Sequence, residues 1–205
     1  MSEANLAVGG HSELMEQSPF AIPSRKLAIW LFIIADAMTF AAVLIAYGFL
    51  RNASASWPRP FHSSVNVAIM TFILITSSLT MLLAVQAARQ ARRNSAIAWI
   101  LATTGLGVIF AFLHIREWLA LIDEGMTLSK NPWGDPLFGA AFFGVTGLHL
   151  LHVVGGILAL LGVTLAYKSG RYNADHVETA GLYWHFVDLV WMFVVPMIYL
   201  LNLSH

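Results

Sequence analysis

Five long apolar stretches run along the chain, at about residues 27–50, 64–88, 96–122, 137–167 and 178–202. Each reaches or exceeds the roughly 20 residues that a helix needs to cross a bilayer. Lipid offers no hydrogen bonds to backbone, so such runs are expected to be helical throughout. The fourth is longer than a membrane is thick, which calls for tilt or protrusion. Between the apolar runs, Asn52–Ser63 and Ser129–Pro136 are rich in turn formers. Residues 1–24 are polar and carry Glu3, Glu13 and Glu16. No basic stretch precedes a short apolar core there, so the segment does not read as a secretory signal. The expected architecture is all-α: a polar segment at 1–24, then a five-helix transmembrane bundle at 25–205. There is no evident internal repeat, which argues against an inverted-repeat transporter.

Composition agrees with the pattern. The 205 residues are 58% hydrophobic and 11% charged, whereas soluble domains are about 25% charged. Mean hydropathy is +0.71. The formal net charge is zero and no basic block occurs, so nucleic acid is not a predicted partner. There is no cysteine, which excludes disulfides, thiolate-bound metal centres and thioether-attached haem within this chain. Lys and Arg set the expected orientation. Arg25, Lys26, Arg89, Arg92, Arg93, Lys168 and Arg171 share one side, against Arg51, Arg59, Arg116 and Lys130 on the other. That asymmetry predicts a cytoplasmic N-terminus and a periplasmic C-terminus at His205.

The ionisable residues inside the apolar runs are the candidate functional groups, because such groups are expensive at membrane depth and usually face protein. Asp36 lies near the middle of the first run. It reads either as a proton-linked or interface carboxylate, or as an acid bonded to a neighbouring helix. His149 and His152 are three apart and so near one helical face. Metal or haem ligation is the sharper reading and interhelical hydrogen bonding the commoner one. His114 and His185 lie on other helices and complete no evident metal shell. In the last run, Glu178, His185, Asp188 and Met192 recur at helical spacing. His185 and Asp188 could pair, and Glu178 sits where a first-turn carboxylate complements the helix dipole. Arg116-Glu117 reads as a solvated interface position or an ion pair to a partner. Small residues four apart, Ala140/Gly144 and Gly155/Ala159, predict close helix packing within the chain.

Three stretches carry a family resemblance. The last run reads E-T-A-G-L-Y-W-H-F-V-D-L-V-W, the fourth F-F-G-V-T-G-L-H-L-L-H-V-V-G-G, and the third ends R-E-W-L-A-L-I-D-E-G-M. Over about Leu27 to Leu203 the chain resembles subunit III of the haem–copper terminal oxidases, the cytochrome c and ubiquinol oxidases. Mitochondrial-type members have seven helices, and this chain resembles the short five-helix bacterial form. The resemblance implies a non-catalytic subunit of a proton-pumping oxygen reductase in a bacterial inner membrane. It would stabilise subunit I, sustain its proton supply, and shape lipid and oxygen access. Asp36 takes the place of the family's buried helix carboxylate, usually glutamate. His149, His152, Glu178, His185 and Asp188 match its other polar positions, which line contacts with subunit I and tightly held phospholipid. No metal is expected in this chain, since the haems and copper belong to partner subunits. The alternatives are an accessory subunit of a nitric oxide reductase, an independent proton-coupled carrier and a small membrane cytochrome.

Overall fold

A computed structural model of the chain describes residues 24–61 and 63–203. Most of the polar segment 1–24 and the terminal His205 lie outside them. Five helices follow in order: α1 (Ser24–Ala53), α2 (Val65–Arg89), α3 (Arg93–Asp123), α4 (Leu137–Lys168) and α5, which begins at Ala174. The last of these passes from α-helix into a π-helical turn at Val195–Tyr199, with Pro196 near its start, and ends in a 3-10 turn at Leu200–Asn202. All five are long and apolar enough to cross a membrane, α5 over Ala174–Asn202.

Local chemistry explains where the helices start and stop. The α2–α3 connection is tight: Arg92 N–H donates to the Ala87 carbonyl and Ala91 N–H to that of Ala88. Such paired bonds close a helix through a left-handed residue. Here that residue is Ala91, at φ 56°. The short turn makes α2 and α3 antiparallel neighbours, and theirs is the most extensive packing in the bundle. Inside it, the Thr80 and Thr103 hydroxyls meet at 2.8 Å. Helix α5 starts four residues earlier than its apolar run, because Asn173 and His176 bond one another across the first turn.

Helix α5 is the hub. It packs on α1, α2 and α4, whereas α1 and α2 scarcely touch one another. Of the five spans, α1 buries least and α5 most. Trp184 is the keystone, fully buried, with its Nε1–H donating to Ser77 Oγ of α2 at 3.0 Å. Gly107 of α3 and Gly156 of α4 lie against its ring, so close that a β-carbon there would come within 2.6 Å and 2.9 Å of it. The small pairs Ala140/Gly144 and Gly155/Ala159 instead face outward. Close packing in α4 falls one position away, at Gly139 against the Thr127 carbonyl and at Gly156.

At the end opposite the basic connections, α5 is fastened to α1. Asn202 is fully buried and donates to the Ile198 carbonyl at 2.7 Å and to Tyr47 Oη. Arg51 reaches Asn202 and the Leu201 carbonyl. Tyr199, whose position suits a membrane interface, is buried instead among Phe61, Phe142 and Trp191.

Candidate functional site

The polar residues inside the spans form several separate contacts. The first joins α1 to α4, where His152 Nε2 lies 3.1 Å from Asp36 Oδ2. The opposite ring nitrogen, Nδ1, is 2.7 Å from the Leu148 carbonyl, which can only accept, so Nδ1 carries a proton. The Nε2···Oδ2 approach is a close contact without hydrogen-bond geometry, and it sets the Asp36 carboxyl of α1 beside the imidazole of α4. Phe40 covers the imidazole edge-on, and Tyr183 Oη donates to the His152 backbone carbonyl at 3.1 Å.

The second contact joins α5 to α2. His185 does not pair with Asp188; its Nδ1 meets Ser78 Oγ at 2.6 Å. Asp188 is buried beside the same Ser78 side chain, although neither of its oxygens makes a hydrogen bond of good geometry among the described residues. His185 itself is half-buried on the α5 surface between α1 and α2.

The third contact is internal to the bundle rather than a solvated position or an ion pair to a partner. Glu117 turns inward, accepting from Tyr199 Oη at 2.7 Å and from Asn66 Nδ2 at 3.2 Å. It ties α3 to α2 and to the π-turn of α5, while Arg116 points outward. Nothing in the local sequence marks Tyr199 and Asn66 as partners, since they lie 82 and 51 residues away.

The fourth contact lies at the basic end. Because α5 begins at Ala174, the first-turn acid is Asp175, and Glu178 falls one turn further in. Its two oxygens each take a cation at 2.9 Å, Lys26 of α1 on one and Arg89 of α2 on the other. This carboxylate thus bridges the two helices that do not pack together.

His149 stands apart from all four. It is wholly buried, stacks on Trp191 with centroids 5.0 Å apart, and neither ring nitrogen reaches a partner among the described residues. His114 of α3 is in the same condition. As a ligand, His114 had only His185 and the His149/His152 pair for company, all on other helices. Among the described residues, no three or more His, Asp or Glu side chains gather as a metal-binding group. The seven candidate residues are thus helix-to-helix fasteners or unpaired buried groups, dispersed through the bundle.

One groove combines a basic end with apolar walls. Between α1, α4 and α5, Arg25, Tyr172 and His176 lie at the basic end, with Ala28, Phe32 and Val163 along the apolar walls.

Outside the spans, one carboxyl titrates in a definable way. Hydrogen bonds from the Ser54 side chain and the Leu137 backbone N–H hold Asp135 below the ordinary carboxylate range.

Comparison with known proteins connects this architecture to a family. Residues 16–203 match the family model described as cytochrome c oxidase subunit III. A quinol oxidase subunit 3 of Bacillus subtilis is 31% identical over 183 residues, covering 87% of each chain. The cytochrome bo(3) ubiquinol oxidase subunit 3 of Pseudomonas aeruginosa is 34% identical over 179 residues, covering 84% of this chain and 83% of that one. A cytochrome c oxidase subunit 3 of Thermostichus vulcanus is 33% identical over 185 residues, covering 87% and 88%. The family match spans all five helices, every polar fastener between them and the keystone Trp184, so the chain belongs to the cytochrome c oxidase subunit III family.

Proposed function

We propose that the chain is the non-catalytic third subunit of a haem–copper oxygen reductase of a bacterial inner membrane, seated against subunit I. Family membership makes the chain part of an oxygen-reducing complex, and the relatives named above are all subunits of oxidases. None of them supports the nitric oxide reductase alternative.

The observation that carries the reading of the partner face is the strip of α5 left open between α1 and α2. Leu182, His185, Leu189 and Met192 follow one another along it at helical spacing, and Leu189 is 56% exposed. Lipid could cover the apolar members, but it offers nothing to bond His185. A transmembrane helix of subunit I offering a hydrogen-bonding side chain satisfies both requirements. Haems and copper belong to the partner subunits. The supporting roles follow from this seating: stabilising subunit I, sustaining its proton supply, and shaping lipid and oxygen access. The basic residues from Arg25 to Arg171 cluster at one end, which supports a cytoplasmic N-terminus. The groove between α1, α4 and α5 has the form of a phospholipid site, a cation above apolar walls.

The test is purification of the tagged chain from its own membranes in mild detergent. The reduced-minus-oxidised spectrum is recorded, with oxygen uptake on quinol and on cytochrome c. Haem bands with oxygen uptake are expected, and the donor that is oxidised names the oxidase type. His185→Ala should lower the haem recovered per tagged chain while leaving the chain in the membrane. A colourless chain with no large partner overturns the reading.

A further inference from the structure

Two imidazoles stand in the centre of the bundle with nothing to bond. His114 and His149 are wholly buried, and none of their four ring nitrogens reaches a hydrogen-bond partner among the described residues. A neutral imidazole carries one N–H and one lone pair, so each ring leaves a donor and an acceptor unused. Buried polar atoms of native proteins are nearly always bonded, to protein or to ordered water.

The surrounding groups are already committed. Both imidazoles lie against the same two rings: Phe110 is 5.7 Å from His114 and 5.8 Å from His149, and Trp191 is 5.5 Å and 5.0 Å from them. The Trp191 N–H is taken by Thr71, and the Trp118 N–H by Thr146. The Thr146 hydroxyl proton goes to the Phe142 carbonyl. Glu117, one turn from His114, is engaged by Tyr199 and Asn66. In this arrangement none of these side chains reaches a nitrogen of either ring. The group that can serve them is small, neutral, and both donor and acceptor. A cation fits poorly, because two imidazoles make an incomplete metal shell and no group of three or more ligating side chains gathers there among the described residues.

We propose that His114 and His149, between α3, α4 and α5, bind internal water. A bridging molecule there accepts from the N–H of one ring and donates to the lone pair of the other, coupling α3 to α4 beside Trp191, and the remaining N–H and lone pair call for further water. Two polar partners are enough to hold a buried water. The site is independent of which oxidase subunit covers the outer face.

The test uses the intact complex. A cryo-electron-microscopy map that resolves ordered water elsewhere in the membrane interior should show a peak about 2.7–3.2 Å from a nitrogen of each ring. The peak should vanish in His149→Phe. If that variant does not assemble, water-to-nitrogen magnetisation transfer in the wild-type complex labelled with 15N-histidine gives the same answer, with both rings receiving signal. The proposal is overturned by a map that resolves other internal waters and shows none here. It is equally overturned by direct bonding of one ring to the other, or by stoichiometric metal in elemental analysis that is lost in His149→Phe.

Discussion

Replacing Gly107 with alanine tests the packing that closes the bundle. The new β-carbon would stand 2.6 Å from Trp184 Cη2, 3.0 Å from Cζ2 and 3.2 Å from Ile157 Cγ1. The indole has little room to retreat. Its Nε1 is bonded to Ser77, and its other edge lies on Gly156, where a β-carbon would already be 2.9 Å away. Overpacking of this kind costs about 1–3 kcal/mol, offset by about 1 kcal/mol from replacing glycine within a helix. Gly105, two residues earlier on the same helix, has nothing within 4 Å of its β-carbon position. Gly105→Ala takes the gain without the penalty. The two variants should therefore differ by about 1–3 kcal/mol, or several degrees at about 2–4 °C per kcal/mol for a chain of this size. The assay is thermal unfolding of the purified complex in mild detergent, following tryptophan fluorescence. A Trp184→Phe background removes the outer indole atoms that the new methyl meets. In that background the Gly107→Ala penalty should shrink, giving a coupling of about 1 kcal/mol or more in the double-mutant cycle. Equal midpoints for Gly107→Ala and Gly105→Ala, or a penalty unchanged by Trp184→Phe, would refute the keystone argument.

Other perturbations probe the remaining fasteners. Glu178→Gln removes the carboxylate that Lys26 and Arg89 share; Arg89 is 61% exposed, so the loss should be modest, about 1 kcal/mol in all. It should shrink as salt is raised, read by the same melts across ionic strength, whereas a salt-independent loss would argue for a packing role. Ala91→Gly should stabilise the α2–α3 turn by about 1 kcal/mol, since alanine is held there at φ 56°, and an unchanged or lowered melting midpoint would count against it. Asp135 has its folded-state pKa depressed by Ser54 and Leu137. Its contribution is therefore present above the unfolded pKa of about 3.9 and lost as pH falls through the lower folded value. Melts of Asp135→Asn and of the parent should differ near neutrality and converge in strong acid.

The hydrophobic pattern alone determined the five spans, because lipid leaves a long apolar run no choice but helix. Tight turn chemistry between α2 and α3 made those two neighbours. Family membership was legible too, because the motifs around Glu117, His149 and Trp184 are long and ordered. Partnership was not legible, since it depends on which faces meet. His185 and Asp188 are three apart on one helix, yet His185 bonds Ser78, 107 residues away. Glu117 read as a solvated position or an ion pair to a partner, but the π-turn of α5 brings Tyr199 over it. Glycine spacing in α4 pointed to Gly144 and Gly155, but helix rotation put Gly156 against Trp184. One residue of rotation turns a helix by about 100°, enough to exchange an inward face for an outward one, and only the assembled bundle sets that angle. The same rotation placed His114 and His149 around Trp191, where none of the described side chains reaches a nitrogen of either ring.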